Sequence, residues 1–257
     1  MKNKNFTDLT GKKAIVTGGA QGLSYGMAEG LMEAGAEVCI LDINKNTHEV
    51  AKAFESRGYI CHSVISNLGE DSSLMQGFTE AVEKLGNHLD ILVNGAGVQR
   101  RYKSEEFPLE DWAYVININL NAVFKLCQLA GQQYLKQESG GKIINIASML
   151  SYFGGYTVAA YAASKGGVAQ LTKALCNEWA CKGINVNALA PGYMDTEMNS
   201  ALTDLSNPRY QEITDRIPAH QWGTPEDMKG PCVFLASSAS DYLSGAIIPV
   251  DGGYLVR

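Results

Sequence analysis

Tyr161 and Lys165 stand four residues apart in the stretch Tyr161-Ala162-Ala163-Ser164-Lys165. On a helix that spacing puts both side chains on one face. A phenol ordinarily titrates near about 10, and an ammonium group beside it favours the phenolate and lowers that value. Such a pair can exchange a proton with a substrate oxygen near neutral pH. The spacing is also common on helix surfaces, so alone it identifies nothing. A second chemically suggestive stretch is Val16-Thr17-Gly18-Gly19-Ala20-Gln21-Gly22-Leu23-Ser24-Tyr25-Gly26. Gly18 and Gly22 can take positive φ and let backbone N–H groups approach a phosphate, with Gln21 and Leu23 beside them. A helix starting here offers its positive end to the same anion.

Asp42 ends the next apolar run, 24 residues after Gly18. An acid there meets the ribose hydroxyls of a dinucleotide; the alternative is that it caps the following helix. No Lys or Arg occupies position 19, 20 or 43 to neutralise a 2′-phosphate, which favours NAD(H) over NADP(H). Ser24 takes the place where a third glycine would ease helix–strand packing. Near a helix start its hydroxyl can bond a free backbone N–H, so a local packing change is expected and not a lost site.

These residues need a scaffold, and the pattern of the chain supplies one. Short apolar runs occur at Lys13–Val16, Glu37–Leu41, Tyr59–Val64, Leu89–Val93, Lys142–Ala147, Asn185–Leu189 and Ala246–Val250. Helix-patterned segments lie between them: Ala28–Ala34, His48–Arg57, Asp71–Leu85, Ala122–Lys136, Tyr161–Ala180 and Pro225–Ala236. Strands without polar alternation are buried on both faces. Strand–helix repetition with right-handed crossovers predicts one α/β domain over residues 1–257, a doubly wound, Rossmann-like parallel sheet of about seven strands. The polar stretch Gly192–Gly223 breaks the rhythm. It reads as a lid over a ligand at the strand ends, or as a surface helical hairpin.

The bulk properties exclude several classes. The chain has 257 residues, 46% hydrophobic and 19% charged, with a net charge of −6 and no Lys/Arg cluster. Nucleic-acid binding, which needs a basic footprint, is not expected. The six cysteines form no C-x-x-C pair, so no metal site is expected. Neither an apolar leader nor a run of membrane-span length is visible, which points to the cytoplasm.

Taken together, Thr17-Gly18…Gly22, Asn94-Gly95-Ala96-Gly97, Asn119, Ser148 thirteen residues before Tyr161, Tyr161…Lys165 and Pro191-Gly192…Thr196 resemble the short-chain dehydrogenase/reductase family over essentially the whole chain. The resemblance implies that Ser148 hydrogen-bonds the substrate oxygen and that Tyr161 is the acid/base. It implies that Lys165 binds the nicotinamide ribose and lowers the Tyr161 pKa, and that Asn119 holds a relay water. It places Asn67 and Leu68 at the adenine, Asn94, Ala96, Gly97, Pro191, Gly192 and Met194 along the cofactor, and Thr196 at the carboxamide. It also implies a homotetramer built partly from the Tyr161–Ala180 and Ala122–Lys136 helices. Two residues depart from the family pattern: Ser24 stands for a third glycine, and Gly95 for the second asparagine of Asn-Asn-Ala-Gly. The second change is expected to remove bonds that brace the central strand.

The stretches Gly97–Arg101, Asn145–Gly155 and the C-terminal end resemble bacterial sugar-acid dehydrogenases. That implies a small sugar-acid substrate, a keto-deoxy acid first and a gluconate second. Arg100 is a candidate to grip the carboxylate through two parallel hydrogen bonds, or else a surface arginine pairing with Glu105 or Glu106; for Arg101 the surface reading is preferred. Met149, Gly155 and Tyr156 are further substrate-side candidates. His220 and Gln221 sit where these relatives usually carry Gly and Arg. A reading from another class, a non-catalytic NAD(H) sensor, requires none of Ser148, Tyr161 and Lys165, yet all three are present.

Overall fold

The computed structural model describes residues 5–203 and 206–257. Strands β1 (Lys13–Thr17), β2 (Glu37–Asp42), β3 (Cys61–Ile65), β4 (Ile91–Asn94), β5 (Gly141–Ile146), β6 (Ile184–Pro191) and β7 (Ile247–Val250) form one sheet in the order β3-β2-β1-β4-β5-β6-β7. All six pairings are parallel. The helices are α1 (Gly22–Glu33), α2 (Thr47–Ser56), α3 (Asp71–Lys84), α4 (Leu109–Ile116), α5 (Ala122–Gln137), α6 (Ala159–Trp179), α7 (Ser200–Thr203), α8 (Pro208–Arg216) and α9 (Lys229–Ala236).

Successive strand side chains point to opposite faces, and here both faces are apolar. Ile15, Cys39, Leu41 and Leu92 meet Leu74 of α3, Leu126 of α5 and Val168 of α6. Ala14, Val16, Val38 and Ile40 meet Met27 of α1, Phe54 of α2 and Leu235 of α9. The sheet is therefore covered on both sides, the doubly wound α/β architecture that the sequence pattern predicts. Strand β1 lies between β2 and β4, so the strand order reverses at its carboxyl end. That reversal opens the crevice in which such sheets bind ligands.

Helix α1 begins well before the predicted Ala28, because its glycines conceal it. A Cβ at Gly26 would stand 2.4 Å from the Pro225 carbonyl oxygen, and one at Gly30 2.8 Å from Lys229 Cβ. These glycines are poor helix formers, but they let α1 lie against the start of α9. Lys229 then reaches Glu29 (2.8 Å), Glu33 (3.0 Å) and Glu226 (2.8 Å). Helix α4 escaped the sequence pattern because it is only eight residues long and exposes much of its apolar surface.

The Gly192–Gly223 excursion carries α7 and α8, with Asp204 and Leu205 outside the described residues. Its two ends are pinned to each other. Asp195 N–H donates to Gly223 O (2.7 Å) and Gly223 N–H to Tyr193 O (3.0 Å). The Trp222 ring stacks on Tyr210 with centroids 5.8 Å apart and meets Tyr193 edge-on at 5.2 Å.

Candidate active site

A cleft of about 530 Å³ lies along the carboxyl ends of the strands, within the usual range for small-molecule sites. The half beside β1 and β2 is built from backbone. Gly18 (φ +69°) and Gly22 (φ +60°) take the left-handed conformation. A Cβ at Gly18 would lie 2.8 Å from Ala96 Cα, so only glycine lets the turn rest on the chain after β4. Gly22, with open space beside it, opens α1 towards the cleft.

The Asp42 carboxylate accepts from Ala20 N–H (3.0 Å) and Asn44 N–H (2.9 Å). It therefore ties the glycine turn to the end of β2 and does not cap α2. Each carboxylate oxygen keeps a free acceptor site, and the residue lines the cleft. Lys165 supplies the only Lys or Arg side chain among the described lining residues. Asn67 Oδ1 accepts from Gly69 N–H (3.0 Å) and its Nδ2 donates to Glu70 (2.8 Å); one acceptor site on Oδ1 is left.

Every predicted cofactor residue lines this cleft except Asn94. Its side chain points under the cleft floor and donates to Asn145 Oδ1 (2.9 Å) and Cys127 Sγ (3.3 Å). Asn145 in turn donates to Thr172 Oγ1 (3.0 Å). Asn94 thus braces β4 against β5 and touches no cofactor space. The bracing expected to be lost at Gly95 is carried by a neighbouring hydroxyl: Gly95 and Ala96 N–H both donate to Thr17 Oγ1 (3.0 and 3.2 Å). Ser24 does not stand ahead of α1 as a cap; it lies inside the helix, against Gly95.

Ser148, Tyr161 and Lys165 converge on the other half of the cleft. Ser148 follows β5, and its hydroxyl accepts from Leu150 N–H (3.1 Å), which fixes the turn after the strand. Tyr161 and Lys165 lie in the first turns of α6. Lys165 Nζ donates to Ile146 O (2.5 Å) and stands 5.6 Å from the Tyr161 ring centre. Burial pushes the Lys165 pKa down to about 8. Burial also raises the Tyr161 pKa, while hydrogen bonding from Ser148 and the positive charge of Arg101 pull it back. The Lys165 ammonium is held by the Ile146 carbonyl, and Arg101 supplies the charge acting on Tyr161.

Asn119 sits in a π-helical turn, Asn117–Asn121, between α4 and α5. Such turns recur at functional sites. Its amide clamps Val98, accepting from Val98 N–H (2.8 Å) and donating to Val98 O (2.9 Å) and Ser164 Oγ (3.2 Å). The side chain is fully buried and lies outside the cleft lining. It positions the Gly97–Val98 turn and has no donor left for the predicted water.

None of the four predicted substrate residues lines the cleft. Arg100 pairs with Asp111 (Nε to Oδ1, 3.3 Å) and covers the Tyr114 ring at 5.0 Å. It is a bound surface arginine, although its partner is Asp111 and not Glu105 or Glu106. Met149 is buried with Ile213, Ile217, Trp222 and Tyr254. Gly155 packs under Leu150 and Val158, and Tyr156 is 94% exposed. Sequence reasoning missed Tyr114, Ile118, Asn44 and Glu197, which do line the cleft. The first two went unseen because α4 and the π-turn left no periodic signal.

Residues 18–255 match the family model described as Enoyl-(Acyl carrier protein) reductase. The chain belongs to the short-chain dehydrogenase/reductase family. This short-chain dehydrogenase/reductase is 47% identical to the 2-dehydro-3-deoxy-D-gluconate 5-dehydrogenase of Dickeya dadantii, over 98% of its own length and 99% of the relative. A solved structure from Agrobacterium tumefaciens, provisionally a 2-deoxy-D-gluconate 3-dehydrogenase with bound NADP, is 44% identical with a TM-score of 0.92. It covers 99% of this chain and 100% of that one. The gluconate 5-dehydrogenase of Burkholderia cenocepacia, solved with NADP and tartrate, is 37% identical with a TM-score of 0.93 and covers 98% of each chain.

Proposed function

We infer that the cleft binds a nicotinamide dinucleotide and that Ser148, Tyr161 and Lys165 serve the interconversion of a hydroxyl and a ketone on a deoxy sugar acid. The first candidate reaction is that of a 2-dehydro-3-deoxy-D-gluconate 5-dehydrogenase (2-deoxy-D-gluconate 3-dehydrogenase). The observation that carries this reading is the meeting of those three side chains in the cleft that the glycine turn opens. The dinucleotide, when bound, supplies or accepts the hydride. The residues present fit it: left-handed glycines that a Cβ would block or strain, a helix N-terminus, and a free acceptor edge on Asp42.

Tyr161 gives its proton to the substrate oxygen in reduction and takes one in oxidation, while the Ser148 hydroxyl holds that oxygen in place. Lys165 anchors the nicotinamide ribose, and Asn119 keeps the Gly97–Val98 turn against α6. Because burial favours the neutral phenol, reduction is favoured towards neutral pH and oxidation gains as pH rises. Asp42 with no guanidinium or ammonium beside it disfavours a 2′-phosphate, so NAD(H) is preferred over NADP(H). The excursion around Thr196, Glu197 and Asn199, which line the cleft, acts as the lid.

The second reading, a gluconate 5-dehydrogenase, is supported by the Burkholderia relative; NADP bound in that structure and in the Agrobacterium one favours NADP(H) under either reading. For assembly, a homotetramer built partly from α5 and α6 is the reading that family membership favours; Phe124 and Leu135 of α5 are exposed. No described helix is long and apolar enough to cross a membrane, in keeping with a cytoplasmic enzyme.

The test follows NADH absorbance with 2-deoxy-D-gluconate, 2-dehydro-3-deoxy-D-gluconate, D-gluconate and 5-dehydro-D-gluconate, each with NAD(H) and NADP(H). NAD-linked turnover of the deoxy acids supports the first reading; turnover of the gluconate pair alone supports the second. Tyr161→Phe is expected to lower kcat by about 10²–10⁴-fold while NADH still binds. Turnover retained in that variant overturns the assigned role.

A further inference from the structure

Ser24 and Gly95, the two departures from the family pattern, meet at one point. Ser24 lies in the first turn of α1 and is 5% exposed; Gly95 follows β4. A Cβ on Gly95 would stand 2.2 Å from Ser24 Oγ, 3.1 Å from Ser24 Cβ and 3.0 Å from the Thr17 carbonyl oxygen. Rotating the Ser24 hydroxyl away removes only the first conflict. Ser24→Gly removes the Cβ conflict as well, and the 3.0 Å approach to Thr17 O then closes with a shift of a few tenths of an ångström. Room for Ser24 therefore exists because position 95 has no side chain, and a side chain at 95 needs a smaller residue at 24.

The contact lies where the cofactor turn is set. Both residues line the cleft. The amides of Gly95 and Ala96 share Thr17 Oγ1, and Gly18 rests directly on Ala96. Packed groups of this kind do not deform gradually, so pushing on residue 95 displaces the glycine turn and the start of α1 together.

We propose that Ser24 and Gly95 are a matched pair of positioning residues. The serine hydroxymethyl group fills the space left by the missing side chain at 95 and sets the distance between the glycine turn and the end of β4. Each residue is acceptable only with the other, and the pair governs the grip on the cofactor without reacting with it. This rests on the dinucleotide reading of the cleft.

The experiment compares the unaltered protein, Gly95→Ala, Ser24→Gly, the double variant S24G/G95A and the family-like S24G/G95N. NADH affinity is read by fluorescence titration, the KM for NAD and kcat by turnover, and stability by thermal melting. Gly95→Ala is expected to weaken NADH binding about ten-fold, as coupled neighbours do, with KM for NAD rising more than kcat falls. Adding Ser24→Gly should restore binding to within about three-fold of the unaltered protein. A Gly95→Ala variant that binds NADH normally, or effects that merely add in the double variants, overturns the proposal. If the unaltered protein binds neither NADH nor NADPH, the dinucleotide reading fails instead. The pair is then judged on melting temperature, where rescue by Ser24→Gly is still expected and its absence is decisive.

Discussion

The two halves of the cleft are made of different material. On the half beside β1 and β2 the contacts are main chain. Glycines with positive φ and the amides of Ala20 and Asn44 on Asp42 are held by β1 and β2, deep in the sheet. On the half where Ser148, Tyr161 and Lys165 meet, the lining is made of side chains. Tyr114, Ile118, Ser148, Tyr161, Lys165 and Glu197 line it. The first half has little freedom to change its ligand. The second can exchange one side chain for another without disturbing a strand.

The sharpest way to break that contrast is at Asp42. Asp42→Ala removes an anion that accepts two backbone N–H groups. Hydrogen bonds to a charged group contribute about 1.5–3 kcal/mol each, so NADH affinity is expected to fall by about ten-fold or more, with NAD losing more than NADP. Fluorescence titration with both cofactors measures it. Unchanged NADH binding would mean that the main-chain half does not set cofactor choice.

A smaller effect is expected on the other side, at the two arginines. Arg100 is already paired with Asp111 and stacked on Tyr114, whereas the charge of Arg101 acts on Tyr161. Arg101→Met is expected to act on the pH profile, with NADH binding kept. Removing a cation that favours the phenolate raises the Tyr161 pKa, so the alkaline rise of oxidation should move to higher pH. Arg100→Met should leave that limb in place. The opposite pattern in a pair of pH–rate profiles would show that Arg100, and not Arg101, acts on Tyr161.

This contrast also explains what the sequence could disclose. The fold was legible because parallel strands buried on both faces read as continuous apolar runs, and Gly18, Asp42, Ser148, Tyr161 and Lys165 occupy strand ends or helix starts whose places the runs define. Asn94 was misplaced because a strand-end residue can face either the cleft or the core, and the sequence does not show Asn145 and Cys127 waiting beneath it. The substrate residues were misplaced for a related reason. Arg100, Met149, Gly155 and Tyr156 lie on turns, where neither period nor neighbour fixes a direction. The meeting of Ser24 with Gly95 depends on the distance between two elements far apart in the chain.

The smallest expected effect is the most discriminating for the substrate half. His220 holds φ at +53°, a conformation that costs a non-glycine residue about 1–2 kcal/mol. Its amide donates to Ile217 O (2.8 Å), while Ala219 N–H donates to Gly252 O (3.0 Å), so the turn is held from both sides. Glycine takes this conformation without strain. His220→Gly relieves the strain but adds freedom to the unfolded chain. The net gain is expected to be about 0.5–1 kcal/mol, a rise of about 1–3 °C in Tm for a chain of this size. If the turn is only a scaffold, Tm rises and the KM for the sugar acid stays put. A KM that shifts while Tm does not would show that the imidazole itself works in the substrate half, and that its strain is maintained for binding.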